Sequence, residues 1–261
     1  MTLPVAIPVC CRSASEIRVA YTLESLALQQ SDVHFEIYMR DEGSVSTFSD
    51  RWTRLIVDLL TKRGHTVNYL RRNQSRGVAH ARQDLLGQIA DRHDAILMLD
   101  DDMILVPDAV EQILKAAAAA GEYGFVQGTK LELDSQREYA NDINVMNQQR
   151  NGGLQRIYFG DAAFLLVRCD ALARIQWDIV SRFQEQNMAG EDVAFSLMIA
   201  DRLPCFGASE AIGYHLALEQ PRWRWEPSTD ALQLELLRGV VSNDTLRLAL
   251  PHMTRYIDGE R

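Results

Sequence analysis

Asp100, Asp101 and Asp102 stand in a row directly after the apolar run Ala95 to Leu99. Carboxylates this close repel one another and raise one another's pKa unless a cation neutralises them, and Mn²⁺ or Mg²⁺ favours such hard oxygen ligands. Divalent-cation chemistry is therefore implied. If the apolar run is a central strand, the triplet sits at its carboxyl end, where open α/β sheets place their ligands. A solvated acidic turn capping the helix that begins near Pro107 would use the same residues.

Such a triplet can be positioned only by a sheet with a defined carboxyl edge, and the surrounding chain has the pattern for one. The first half repeats a short apolar run followed by a segment of helical periodicity, which predicts parallel strands joined by crossover helices. Strands are expected at Val5 to Cys10, Phe35 to Met39, Thr66 to Leu70 and Ala95 to Leu99, with helices at Ser15 to Gln29, Trp52 to Lys62 and Val78 to Ala90. Apolar runs without polar alternation suit a sheet covered on both faces. Pro107 suits a first helical position, and the helix after it stops at Gly121.

The second half is less regular. Strands are expected at Phe125 to Leu133 and Ala162 to Val167, separated by the polar stretch Asp134 to Gly153. A compact domain seldom tolerates a structureless loop of that length, so the stretch is either partly helical or a mobile functional segment. A helix at Glu191 to Ala200, strands near Cys205 to Ala208 and Gly213 to Leu216, and a helical tail from Pro227 with Leu232, Leu234, Leu236 and Leu237 complete the pattern. No repeat or composition shift marks a boundary. The expected class is α/β, a single domain with a mostly parallel central sheet flanked by helices.

Composition narrows the function. The 261 residues include 27 basic and 36 acidic side chains, a formal charge of −9, with 47 % hydrophobic and 24 % charged residues. Those fractions suit a soluble globular chain burying about three quarters of its unfolded surface. Acidity weighs against broad binding to a nucleic-acid backbone. The apolar runs fall short of the roughly 18 residues of a membrane helix, and Met1 to Arg12 has no basic start followed by an apolar signal region, so a cytoplasmic location is expected. Cys10, Cys11, Cys169 and Cys205 lack Cys-x-x-Cys spacing and suit reduced core thiols.

Several further motifs occur in one order, and together they resemble the family 2 glycosyltransferases, inverting enzymes of the GT-A fold that move a sugar from a nucleotide diphosphate, usually UDP, to an acceptor hydroxyl. Val5-Ala6-Ile7-Pro8-Val9 is similar to that family's first strand, whose Ile-Pro-Val turn lies beside the nucleotide, which implies a donor contact near Pro8. Phe35 to Ser44 resembles the second strand and its Asp-Asp-Gly-Ser turn, making Asp41 the acid expected to accept from the base N–H. Arg76 to Arg82 resembles a Gly-x-x-x-Ala-Arg segment whose arginine, here Arg82, faces the nucleotide. Asp100-Asp101-Asp102 fills the Asp-x-Asp place. The resemblance puts Asp100 near the ribose and makes Asp102 the metal ligand, with Asp101, the extra middle acid, on the donor side. Gly160 to Arg168 resembles the strand lining the donor-sugar pocket and brings in Asp161. Gly190-Glu191-Asp192 resembles the Glu-Asp motif that opens a helix, and His215, 23 positions after Asp192, stands where many members complete metal coordination. The resemblance spans roughly Val5 to Leu216. It implies a nucleotide-sugar half of about 1–106, an acceptor and catalytic half of about 107–226 and a tail of 227–261.

Glycosyl transfer explains why these groups would be needed together. Negative charge grows on the departing diphosphate, where a cation helps, while a carboxylate across the sugar takes the acceptor hydroxyl's proton. Asp192 is the expected base and Glu191 its competitor, since sequence alone does not say which neighbour points inward. Each motif also has a plainer use: an acidic turn at Asp41, a solvated helix face at Arg82, a core strand at Asp161, an acidic helix start at Glu191-Asp192, a satisfied core or surface histidine at His215. Cys10-Cys11-Arg12 departs from the Asn or Tyr frequent after the first strand. Glu219 to Trp225 interleaves arginines with indoles, as a lid or acceptor element or as packing for the tail. The acceptor is a saccharide, a lipid-linked or another hydroxyl compound. Two other classes stay open: a sugar-nucleotide nucleotidyltransferase, against which the glycine-free Cys10-Cys11-Arg12-Ser13-Ala14 counts, and a non-catalytic nucleotide-sugar binder.

Overall fold

A computed structural model of the chain describes residues 5–11, 16–72, 74–134, 137–140, 153–185, 190–216 and 227–250. Arg12 to Ser15, most of the polar stretch after Asp134, and Glu219 to Trp225 therefore lie outside the described residues. The order is β1 (Val5–Cys11), α1 (Glu16–Ala27), β2 (Phe35–Asp41), α2 (Arg51–Lys62), β3 (Thr66–Arg71), α3 (Val78–Ile89), β4 (Ala95–Leu99), β5 (Met103–Leu105), α4 (Ala109–Ala120), β6 (Phe125–Asp134) and β7 (Arg137–Ala140). It continues with β8 (Leu154–Ile157), β9 (Phe164–Arg168), α5 (Trp177–Glu185), α6 (Glu191–Ala200), β10 (Cys205–His215), α7 (Pro227–Leu237) and α8 (Asn243–Ala249).

These strands form one mixed sheet in the order β3-β2-β1-β4-β9-β6-β10-β5, with β7 added beside β6 and β8 beside β10. The ladders β3-β2, β2-β1 and β1-β4 are parallel. β9 runs against both β4 and β6, and β10 runs with β6, so β6 and β10 share the direction of the first four strands. The expected mostly parallel sheet is present, six of its ten described strands sharing one direction and β5, β7, β8 and β9 running against them.

The strands read as unbroken apolar runs because a core lies on each face. In β4, Ile96 and Met98 enter one cluster with α3, α5 and α6, while Leu97 and Leu99 enter the other with α1, α2 and α4. Alternate side chains of β9 divide the same way, Leu165 and Val167 against Phe164 and Leu166. This is the period-two consequence of a sheet with no wet face. Leu234 and Leu237 of the tail helix are buried and Leu232 is exposed, so α7 packs by one stripe. The four cysteines are free thiols. No helix among the described residues is long and apolar enough to cross a membrane.

Three features depart from the sequence expectation. The two expected strands near Cys205 and Gly213 are one strand, β10, whose register with β6 shifts between Ala208 and Ile212. That irregularity broke the alternation on which the reading relied. β5 and β8, three and four residues long, are too short to carry a periodic signal of their own. The polar stretch begins with a strand, since Arg137–Ala140 pairs antiparallel with β6.

Candidate active site

The acidic triplet is the crossing from β4 to β5, and both of its ends are fixed by backbone hydrogen bonds. The N–H of Asp100 donates to the Ala163 carbonyl at 3.2 Å, and the Asp102 carbonyl accepts from Leu216 N–H at 2.8 Å. Ala163 precedes β9 and Leu216 follows β10, so the crossing is tied to two strands that the sequence separates widely. His215 pairs in register with Met103 of β5 on one side and with Glu132 of β6 on the other. That register brings the His215 Nε2 to 3.2 Å from Asp102 Oδ1. Asp102 Oδ2 faces Arg18 Nη1 of α1 at 3.8 Å.

A carboxylate beside an imidazole is a donor set that a divalent ion such as Mn²⁺ accepts. Among the described residues no three His, Cys, Asp or Glu side chains gather to hold a metal. Ions that bind together with nucleotides commonly take one or two protein ligands and complete their shell with phosphates and water. Asp102 and His215 fit that pattern.

Opposite the triplet, α6 starts at Gly190, whose φ of 94° is a left-handed conformation that costs glycine little. Glu191 and Asp192 occupy the first helical turn, where the helix dipole favours negative charge. Ser196 of the same helix accepts a hydrogen bond from Gly160 N–H at 3.0 Å, and its hydroxyl donates to the Val193 carbonyl. The turn carrying Asp161 is thereby fastened to α6. The Asp161 Oδ1 accepts from Ala163 N–H at 2.9 Å, and its Oδ2 is bound by the Lys130 ammonium of β6.

Arg82 joins the two sides. It projects from α3, which begins after Gly77, and is buried with the Nη1 2.7 Å from Glu191 Oε1 and the Nη2 2.7 Å from Asp100 Oδ1. Pro8 and Cys10 of β1 line a small pocket together with Arg82, Asp100 and Ala162. Asp101 is half-buried and acts electrostatically on Cys10 and Cys11. One cleft thus collects Pro8, Arg82, Asp100, Asp102, Asp161, Glu191, Asp192 and His215.

The crowding sorts the protonation behaviour of the carboxyls. Desolvation in the cleft, reinforced by Glu191 and Asp161, pushes the Asp192 carboxyl well above the usual carboxylate range. Burial also raises Asp100, with Asp102 and Asp161 adding to the effect and Arg82 opposing it. Asp161 goes the other way: burial would raise it, but the Lys130 cation and the Ala163 N–H hold it below the ordinary value. Burial would lower Arg82, yet Asp100 and Glu191 outweigh that and keep it firmly cationic. The Cys10 thiol, desolvated beneath the cleft, is pushed up to about 12, so it is no thiolate at neutral pH.

Asp41 is placed differently. It is fully buried at the end of β2, and its Oδ2 accepts from Thr47 N–H at 2.8 Å, from the Tyr69 hydroxyl at 2.5 Å and from Arg71 Nη1 at 3.0 Å. Its Oδ1 accepts from Gly43 N–H at 2.9 Å. Burial would raise this carboxyl, but the donors together hold it below its ordinary range.

Lys130, Arg18 and Ser196 are site residues that sequence reasoning missed. Lys130 carried a usable signal, a lone cation inside the apolar strand Phe125–Asp134. Arg18 and Ser196 looked like ordinary helix positions.

Comparison with known proteins gives a family and a fold. The family model described as Glycosyl transferase family 2 matches residues 5–178. Among solved structures, S. aureus TarS 1-349 in complex with UDP-GlcNAc superposes with a TM-score of 0.63 at 13 % identity, covering 99 % of this chain and 71 % of that one. The mannosyltransferase PcManGT from Pyrobaculum calidifontis, in complex with GDP-Man and Mn²⁺, gives a TM-score of 0.64 at 14 % identity, covering 98 % of this chain and 70 % of that one. At such identities the likeness is one of fold. No curated protein sequence matches.

Proposed function

The chain belongs to glycosyl transferase family 2, and from that premise we propose that it is an inverting, metal-dependent enzyme moving a sugar from a UDP-sugar or related nucleotide diphosphate sugar to an acceptor hydroxyl. It is a glycosyltransferase, a single α/β domain whose structural neighbours are GT-A enzymes. The observation that carries the finer reading is the Arg82 bridge. By binding Asp100 and Glu191 with its two terminal nitrogens, it joins the acidic triplet to the Glu-Asp pair, which supports a donor side and an acceptor side within one site. Donor and acceptor chemistry need both.

Asp102 and His215 would hold a divalent cation, which when bound supplies positive charge against the departing diphosphate. Asp100, Asp101 and Arg82, with Pro8 at the floor, would orient the ribose and phosphates. Asp161, kept ionised by Lys130, would face the donor sugar. Asp41 would set the nucleobase wall, with its carboxylate spent on keeping the turn after β2 rigid.

Asp192 takes the proton. Its Oδ1 already accepts from Val193 N–H at 2.9 Å, which orients the carboxylate and leaves Oδ2 for an acceptor O–H. As that O–H bond breaks toward Oδ2, the acceptor oxygen bonds to the anomeric carbon. The bond from that carbon to the phosphate oxygen breaks on the far face, and its electron pair leaves with the diphosphate. Glu191 is held by Arg82 and positions the helix start. A raised carboxyl is also the stronger base once ionised, which favours Asp192 for this step. An acceptor that is a saccharide, a lipid-linked compound or another hydroxyl would satisfy the same step.

A thermal-shift screen of UDP- and GDP-sugars with and without Mn²⁺, followed by assay of nucleoside diphosphate release, tests the reading. Stabilisation by one donor class that depends on Mn²⁺, with slow release of its diphosphate, is expected. Donor binding that ignores the metal, or no response to any donor, would overturn it.

A further inference from the structure

The charge of this acidic chain is unevenly distributed. Between Arg51 and Arg76 stand seven Lys or Arg residues and one acid, Asp58, a surplus of six positive charges in a chain whose total is −9. Those residues build α2 and β3, and β3 is the outermost strand at its end of the sheet. Arg71 and Arg72 are paired with Asp41 and Asp84. Arg51, Arg54, Lys62 and Arg63 are exposed along α2 and at its C-cap. The hydrogen bonds of Arg54 go to the Phe48 and Ser49 carbonyls, neutral acceptors that leave its charge in place.

The same helix carries more apolar surface than the core uses. Thr53, Ile56 and Leu60 turn inward. Trp52, Leu55 and Leu59, also at i, i+3 and i+7 but one residue round the helix, are 52 %, 48 % and 42 % exposed. At about 100° per residue, Arg51 and Lys62 border this row on its solvent side. An open groove of about 430 Å³ runs beside it, walled by Phe48, Leu55, Val57, Arg51, Arg54 and the lone acid Asp58, whose charge the two arginines outnumber.

We propose that α2 docks this domain on an anionic membrane surface, with Trp52, Leu55 and Leu59 entering the headgroup layer and Arg51, Arg54 and Lys62 meeting lipid phosphates. A helix with an exposed Trp and Leu row edged by Arg and Lys has the composition of elements that lie in the interface plane. Lipid supplies both parts of the complement, negative charge at the surface and an apolar layer directly beneath it. The acids elsewhere do not prevent the approach. At physiological salt the Debye length is about 8 Å, so the bilayer responds to the face it meets rather than to the whole molecule. None of these residues belongs to the cleft, and the inference stands or falls separately from the transfer reading.

Cosedimentation of the full chain with vesicles tests it, comparing phosphatidylcholine alone with mixtures containing about one third phosphatidylglycerol, at roughly 0.1 M and 1 M salt. Binding is expected to the anionic vesicles only, at the lower salt. The Leu55→Ser/Leu59→Ser variant, whose charge is unchanged, and the Arg51→Glu/Arg54→Glu variant should each weaken it at least about tenfold. Brominated lipid should quench the emission of the wild type and spare Trp52→Phe, a conservative change at an exposed position. Binding independent of anionic lipid would overturn the proposal. So would charge dependence without any effect of the leucine changes, which would indicate a soluble polyanion, or a concentration-dependent dimer abolished by the same variants.

Discussion

Arg82 and Glu191, 109 positions apart, meet at 2.7 Å, and the other nitrogen of the same guanidinium holds Asp100 at 2.7 Å. A planar guanidinium can serve two carboxylates in fixed directions, which an ammonium cannot. The cleft is built around this one side chain, and its removal would leave two carboxylates partly buried with no counter-charge. Arg82→Met should therefore destabilise the fold by about 2–3 kcal/mol, below the full value for a deeply buried pair because Asp100 is about one-third exposed. Arg82→Lys should recover part of the stability and little of the donor affinity, as thermal melting and donor titration would show.

Asp192→Asn should keep donor binding and lower transfer by about 10²- to 10⁴-fold, measured as kcat with kcat/KM. The wild-type rate should fall toward acid with a midpoint above the ordinary carboxylate range, because the ionised form is the base and its pKa is raised.

The same residue couples stability to pH. A carboxyl whose folded pKa lies above its unfolded value favours folding below the unfolded pKa, and that contribution is lost as pH rises through the folded one. Above the unfolded pKa this carboxyl therefore costs stability that Asn would not. The Asp192→Asn protein should melt higher than wild type near pH 8, and the gap should close as the pH approaches 4. A gap that widened on acidification would contradict the raised carboxyl.

Metal binding can be read without turnover. Asp102→Asn should abolish Mn²⁺ binding in the presence of UDP, and His215→Ala should weaken it at least about tenfold, by titration calorimetry. The first variant removes charge as well as a ligand, so its loss should be the larger.

Gly128 of β6 lies against the ring of Phe164, which is almost wholly buried, and a Cβ there would run into that ring. A rigid aromatic cannot retreat as a flexible chain end would. Gly128→Ala should cost about 1–3 kcal/mol and lower Tm by roughly 2–12 °C. Since Lys130 follows two residues later on the same strand, a weaker hold on Asp161 is expected with it.

How much could be read in advance differed from element to element. Ala95–Leu99 announced itself as a central strand because both of its faces are covered, and the helices after β2 and β3 showed clear periodicity. β10 looks like two strands in the sequence because its register shift interrupts a local pattern, while β5 exists only through pairing with the end of β10. The position of the triplet at a carboxyl edge was legible. Its histidine partner, His215, is legible only through the family resemblance, and Arg18 of α1 is not legible at all; Lys130 stands out only as the lone cation of its strand.

The sequence by itself determined the α/β class, the order of the motifs and the residue types available for the chemistry, because these follow from hydrophobic period and turn composition within a few residues. Only the tertiary structure decided that Arg82 joins Asp100 to Glu191, that His215 rests on Asp102, that Lys130 holds Asp161 and that Asp41 is sealed by its own turn. Each of those is a distance between groups far apart in the chain, fixed by sheet order and register, and a linear pattern carries no such distance.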